Sequence, residues 1–337
     1  MLNLDIAKNR QIKKILIVRN DRFGEFLLNI PAFRALEESF PQAEIWAVIN
    51  PYVKELAELT PYIERIIVWE NKKHNFFEIL KFSFKLKKEK FDLCIIFNPS
   101  KEFNIISFLA GIPIRVGYAR KWPFLLTHKI EDKKYLGLKH EIEYNLELVG
   151  LVGAKTEDKS LSLKIDIEFD PPQFREYKGI VAIHPWSSDI IKNWKIENFV
   201  ELAKRISLDK NLGIVIIGGK ENLLVSEKYF GDIKEKNIIN LVGKTNLKEL
   251  ASLLKRCKLL ITSDSGPMHL AVCVGTRVIA LFRNDIATKS ARRWGPWGGQ
   301  HIVIEKEKLS KITVEEVFDK INQSIKIKRD RLLFTME

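Results

Sequence analysis

A chain of 337 residues is too long for one ordinary compact core, so two domains of comparable size are expected. Its 46% hydrophobic and 29% charged residues exclude a fibrous or disordered polymer. The formal net charge of +13 favours contact with something anionic, whether nucleic acid, an acidic membrane surface or a phosphorylated substrate, without choosing among them. Residues 1–14 carry charges but no apolar stretch of signal-peptide length, and no run reaches the length of a bilayer-spanning helix, so a cytoplasmic protein is expected.

An apolar run over 15–18 reads as a buried strand, Asn20 to Gly24 as a turn, and 27–40 as one helix stopped by Pro41. Strands follow over 44–49, 66–69 and 93–97, with helical stretches between them. Around Asp170-Pro171-Pro172, after a charged, alternating stretch over 160–169, the pattern breaks. This marks an expected boundary between a first domain (1–170) and a second (171–325), with 326–337 as a tail. The rhythm restarts with a strand over 180–183, a helix over 197–208, a strand over 213–217 ending in Gly218-Gly219, and a helix over 247–255. A strand over 259–262, a helix over 267–274 and a strand over 277–282 complete it. Strands alternating with helices at this spacing predict two Rossmann-like, doubly wound parallel sheets. Ligands of such domains sit outside the carboxyl ends of the strands, and a cleft between two of them is the expected site.

Cys94, Cys257 and Cys273 are an odd number, far apart and among apolar neighbours, which supplies neither a disulfide framework nor a CxxC metal site. Three other segments carry chemistry. In Thr262-Ser263-Asp264-Ser265-Gly266-Pro267-Met268-His269 a buried strand runs into capping residues and a proline suited to a helix's first turn. The amides and positive end of that helix suit a diphosphate, although an ordinary capped connection reads the same way in isolation. In His184-Pro185-Trp186-Ser187-Ser188-Asp189-Ile190-Ile191-Lys192, two hydroxyls and a lysine follow the first strand of the second domain, where they suit phosphate oxygens. Arg19-Asn20-Asp21-Arg22-Phe23-Gly24-Glu25 sets two carboxylates and two arginines on one loop, with Glu25 or Asp21 as candidate general base, or as a simple helix-start partner.

Found in this order, these segments resemble glycosyltransferase family 9, the bacterial heptosyltransferases of the lipopolysaccharide inner core, from Lys14 to about Ile304. The resemblance implies a GT-B fold, with an ADP-linked heptose held by the second domain and the acceptor entering from the first, beside Arg19, Asn20, Asp21 and Arg22. It implies that Lys192 contacts phosphate, that Ser187 and Ser188 belong to the donor loop, and that Asp264 faces the donor. It further places Ser265, Gly266, Pro267, Met268 and His269 under the diphosphate, and Glu221 or Asn222 at the ribose. Glu25 stands where the family has an aspartate base. The added methylene shifts the carboxylate, and Asp21 is the rival.

Inverting transfer needs a base on the acceptor hydroxyl and an offset for charge growing on the leaving diphosphate. No clustered acidic or histidine-containing metal site is apparent, so no metal and no tightly bound cofactor are expected. Helix amides from Ser265 onward and the Lys192 ammonium would stabilise that charge, with Asp264 orienting a sugar hydroxyl or pairing with Lys192. The aromatic and lysine-rich stretch from Lys72 to Lys88 is either an ordinary domain helix or a peripheral contact with the anionic inner face of the inner membrane, where a lipid-linked anionic saccharide acceptor would lie. The rival readings are a nucleotide-sugar epimerase or hydrolase on the same architecture, and a non-catalytic nucleotide-sugar binding protein. A nucleic-acid partner is not expected, for want of a compact recognition motif, and a dinucleotide oxidoreductase lacks its GxGxxG.

Overall fold

The computed structural model describes residues 11–209 and 212–333. The chain divides into two compact units, Met1–Lys164 and Ile165–Glu337. Residues 165–170 therefore count with the second unit, where Phe169 N–H donates to Ser252 Oγ at 2.8 Å and Asp170 pairs with Arg175 at 3.0 Å and with Arg256.

In the first unit, β1 (Lys14–Arg19), β2 (Glu44–Ile49), β3 (Arg65–Val68), β4 (Leu93–Ile96), β5 (Ile114–Tyr118) and β6 (His128–Ile130) form one sheet in the order β3-β2-β1-β4-β5-β6. Every neighbouring pair is parallel. The inner strands are runs of Ile, Leu and Val without alternation, because a parallel sheet is covered on both faces. Its helices are α1 (Phe23–Leu27), α2 (Ile30–Ser39), α3 (Lys54–Glu58), α4 (Phe76–Glu89), α5 (Lys101–Leu109) and α6 (Glu141–Gly150). The single helix expected over 27–40 is thus α1 and α2 with a break between them. Pro31 has no N–H to bond the carbonyl of Leu27, so the ladder cannot continue; a proline in the first turn of a new helix costs nothing. Asn29 Nδ2 takes up the Glu25 carbonyl at 2.6 Å.

The second unit repeats the plan with β7 (Ile180–His184), β8 (Gly213–Ile216), β9 (Ile238–Asn240), β10 (Cys257–Ser263), β11 (Arg277–Arg283) and β12 (Ile302–Lys306), in the order β12-β11-β10-β7-β8-β9, again all parallel. Its helices are α7 (Ile196–Asp209), α8 (Leu223–Phe230), α9 (Leu247–Arg256), α10 (Gly266–Cys273), α11 (Ala291–Trp294) and α12 (Val314–Leu333). The α12 helix runs into the stretch expected as a tail, of which 334–337 lie outside the described residues. Val181, Ile183, Phe199, Ile214, Ile261, Ile279 and Val317 meet in its core. In each unit the chain steps outward for three strands, then returns to the middle. The reversal leaves a switch point at the carboxyl ends of β1 and β4, and of β7 and β10, the place where doubly wound sheets generally take a ligand.

Candidate functional site

In the second unit, the loops after β7 and β10 meet at its switch point. Lys192 Nζ lies 2.5 Å from Asp264 Oδ2, both side chains being largely buried. Lys192 is held there from several sides. Asp189 caps its short turn by accepting from Ile191 N–H at 3.2 Å, and Lys289, arriving from the loop after β11, donates to Asp189 Oδ2 at 2.5 Å. That bond holds the Asp189 carboxyl below its usual range. Arg283 donates to the Ile191 carbonyl at 3.1 Å. Past the lysine, Trp194 is 1% exposed, stands edge-on to Phe199 at 4.9 Å, and donates its indole N–H to the Ile312 carbonyl at 2.9 Å. A buried indole needs such a partner, so the loop has a fixed end.

At the other end of the loop, His184 is buried with Nδ1 3.1 Å from Thr262 Oγ1. Burial pushes its pKa down to about 3, so the ring is neutral and no acid or base at working pH. Trp186 packs on Gly218 so closely that a Cβ there would meet the indole at 2.6 Å. Ser187 Oγ accepts from Asp189 N–H at 3.4 Å, and Ser188 beside it is exposed.

The α10 helix opens without a side-chain cap. Ser265 stands at the N-cap position in extended conformation, but its Oγ is 2.9 Å from Thr262 Oγ1 instead of on the helix amides. Gly266 and Pro267 form the first turn. Met268 and His269 are buried. In the 218–222 stretch, Asn222 Oδ1 accepts from Gly219 N–H at 3.2 Å and is thereby committed to its own turn, while Glu221 is exposed.

The first unit builds an ionic chain at its own switch point. Arg19, 3% exposed at the end of β1, has Nε 2.8 Å from Asp21 Oδ1, as an ion pair rather than an aligned hydrogen bond, and donates to the Phe97 carbonyl after β4 at 3.4 Å. On its other side lies buried Glu141 at 3.9 Å, which Lys134 approaches to 2.6 Å. Burial works to lower the Arg19 pKa, but Asp21 and Glu141 outweigh it, so the guanidinium stays charged. Burial raises the Asp21 carboxyl to about 6, against the lowering effect of Arg19 and with help from Glu25. Asn20 is buried and Arg22 exposed. Glu25 is half-buried in the first turn of α1. Tyr52 donates to the Asp21 main-chain carbonyl at 2.8 Å; burial first, then Glu25 and Asp21, push its hydroxyl up to about 12.

The structure thus brings Lys192, Asp264 and Ser265 together, and separately Asp21 with Arg19. Sequence reasoning missed Lys289, Glu141, Lys134 and Tyr52. They follow β11, β6 and β2 in the chain, and none carries a local motif.

A family model for glycosyltransferase family 9 (heptosyltransferase) matches residues 79–321. The lipooligosaccharide heptosyltransferase 2 of Campylobacter jejuni serotype O:6 is 27% identical over 294 residues, covering 86% of this chain and 86% of that protein. Among solved structures, a glycosyl transferase family 9 protein from Veillonella parvula superposes with a TM-score of 0.81 at 22% identity, over 94% of this chain and 98% of that one. The ADP-heptose lipopolysaccharide heptosyltransferase II of Escherichia coli does so with a TM-score of 0.79 at 20% identity, over 94% and 99%. These two likenesses show a shared fold.

Proposed function

The chain belongs to glycosyltransferase family 9, and from that membership we propose that it transfers a heptose, or a closely related sugar, from an ADP-linked donor to the inner core of a lipopolysaccharide-type acceptor, with inversion. The observation that carries the proposal is the Lys192–Asp264 pair beside the uncapped start of α10, on a family transferase scaffold. An ammonium next to helix amides is a seat for a diphosphate. A carboxylate at 2.5 Å keeps that ammonium aimed, and its own oxygens suit sugar hydroxyls better than phosphate.

In this reading the second unit binds the donor and the first supplies the base. Glu25 takes the proton of the acceptor hydroxyl as that oxygen bonds to the anomeric carbon. The bond from that carbon to the phosphate oxygen breaks and ADP leaves. The charge gathering on the leaving phosphate is met by Lys192 and the amides from Ser265 onward. Glu25 is preferred to Asp21 because the Asp21 carboxylate is already committed to Arg19, whose buried charge it neutralises. Arg19 and Asn20, both buried, support this loop from below, leaving Arg22 as the exposed cation on the acceptor side. At the ribose, Glu221 is preferred to Asn222, whose oxygen is engaged by Gly219.

The test is a binding screen of ADP-, UDP-, GDP- and CMP-linked sugars followed by transfer to a truncated lipopolysaccharide acceptor. ADP-heptose should bind best and turn over only when acceptor is present. Turnover of donor alone, or preference for another nucleotide, would sink the assignment of donor and reaction while leaving family membership intact.

A further inference from the structure

One face of the first unit's sheet is covered by α4, α5 and the turn at Pro123–Leu125, and the outer surface of that layer is both aromatic and basic. Phe82 and Leu86 of α4 point into the core. On the opposite side Phe76, Phe77 and Phe84 are 64%, 78% and 53% exposed. Phe77 and Phe84 lie two turns apart and so in one line, with exposed Lys81, Lys85 and Lys88 along one flank and Lys87 along the other.

The neighbouring α5 continues the pattern. It exposes Phe108, with the Arg115 guanidinium 5.5 Å from the ring. Asn104 of α5 donates to the Lys121 carbonyl at 2.9 Å and so fastens the next turn. There Lys121 and Trp122 both adopt left-handed backbone, φ 54° and 67°, a conformation that residues with side chains resist. The strained turn holds Trp122 and Phe124 outward in a stack at 5.8 Å, with Lys101 Nζ 3.9 Å over the indole. Beside β3 the same layer opens into a groove of about 740 Å³, lined by Trp69 and Phe82, by Lys72, Lys81, Lys85 and Lys88, and by Glu70 and Glu78, of which Glu70 pairs with Lys72 at 2.6 Å, so the cations outnumber the carboxylates.

We propose that this face seats the protein on an anionic lipid bilayer, with the rings in the headgroup region, the lysines on lipid phosphates and the groove over a headgroup. Charge selects the occupant. A second copy of this chain would bring the same cations and be repelled, and an apolar protein surface would leave the lysines without counter-charge. A bilayer supplies anions and apolar depth at once. The inference rests on the acceptor being lipid-borne, for docking would hold the first unit at the surface where that acceptor is anchored.

The full chain is sedimented with vesicles of phosphatidylglycerol mixed with phosphatidylcholine, and with phosphatidylcholine alone. Binding is expected only to the anionic vesicles and should fall with salt. At about fivefold per lysine, the triple variant Lys81→Gln, Lys85→Gln, Lys88→Gln should bind roughly a hundredfold more weakly. Phe77→Ser with Phe84→Ser, and separately Phe108→Ser with Phe124→Ser, should each weaken binding while transfer to a soluble truncated acceptor stays unchanged, which also shows that the variants fold. Equal behaviour with both vesicle types, or anionic binding that survives all three variants, would overturn the proposal. So would concentration-dependent dimerisation, or retention of a single-stranded oligonucleotide, that these substitutions abolish in place of vesicle binding. Transfer to the soluble acceptor tests the catalytic reading separately, so either can fail alone.

Discussion

Lys192 and Asp264 come from loops 72 residues apart and end 2.5 Å from one another. Replacing Lys192 by alanine removes a charge-assisted contact, so the affinity for ADP measured by calorimetric titration should fall roughly ten- to a hundredfold. Glu25→Gln should abolish transfer while donor affinity stays near that of the parent. If Glu25→Gln kept near-normal turnover and Asp21→Asn did not, the base would be Asp21. The pH profile reports on the Asp21–Arg19 pair. With its pKa raised to about 6, Asp21 is protonated below that pH, where the Arg19 pair is lost, and ionised above it. Activity should therefore rise through about pH 6, and the inflection should vanish in Asp21→Asn. The linked stability runs the other way: a folded carboxyl that holds its proton more tightly than an unfolded one contributes less as pH climbs through that range. His184 works oppositely again, since its lowered pKa favours the unfolded state once pH drops below the ordinary histidine range. Lys192, Asp264 and Glu25 were legible as candidates because each lies in a short motif beside a strand end. Glu141 and Lys289 were not, because an acid or a lysine on an ordinary stretch of sequence carries no sign of the partner that folding will bring to it.

At the level of elements, the loop after β7, the proposed donor loop, owes its shape to its two ends. Gly218→Ala would drive a methyl into the Trp186 ring, and such overpacking costs about 1–3 kcal/mol. Its melting temperature should drop, and donor affinity should fall with it because Trp186 precedes Ser187 and Ser188. Trp194→Phe would keep the packing on Phe199 but leave the buried Ile312 carbonyl without its donor, a loss of roughly 1–3 kcal/mol by denaturant titration. The central strands could be read because burial on both faces forces unbroken runs of Ile, Val and Leu. The edge and near-edge strands β5, β6, β9 and β12 went unread. β6, β9 and β12 are short or lie against solvent, as with the half-exposed Ile238–Asn240, while β5 is buried but has its apolar run broken by Arg115 and Gly117. The break between α1 and α2 was hidden because the apolar pattern continues through Pro31 while the hydrogen-bond ladder does not.

At the scale of the whole molecule, the chain forms two doubly wound units in a GT-B fold, and the proposed reading gives them different tasks. Hydrogen exchange on the intact protein should show ADP protecting the loops at 186–193, 218–222 and 264–269 in the second unit. The loop at 19–25 should respond only when an acceptor is added. Protection spread evenly over both units would contradict that division. By itself the sequence determined the pair of parallel sheets and the family, and it singled out candidate loops, because periodicity, glycine and proline placement and strand-end motifs are local properties of the chain. The tertiary structure alone decided the rest: that Lys192 is neutralised by Asp264, that Asp21 is bound to Arg19, that Met268 and His269 face inward, and that α4 shares its outer face with Phe108, Trp122 and Phe124. The Lys192–Asp264 pair and the shared aromatic face depend on which distant segments the folded sheets bring side by side, while the Arg19–Asp21 pair and the inward turn of Met268 and His269 depend on what the surrounding fold buries.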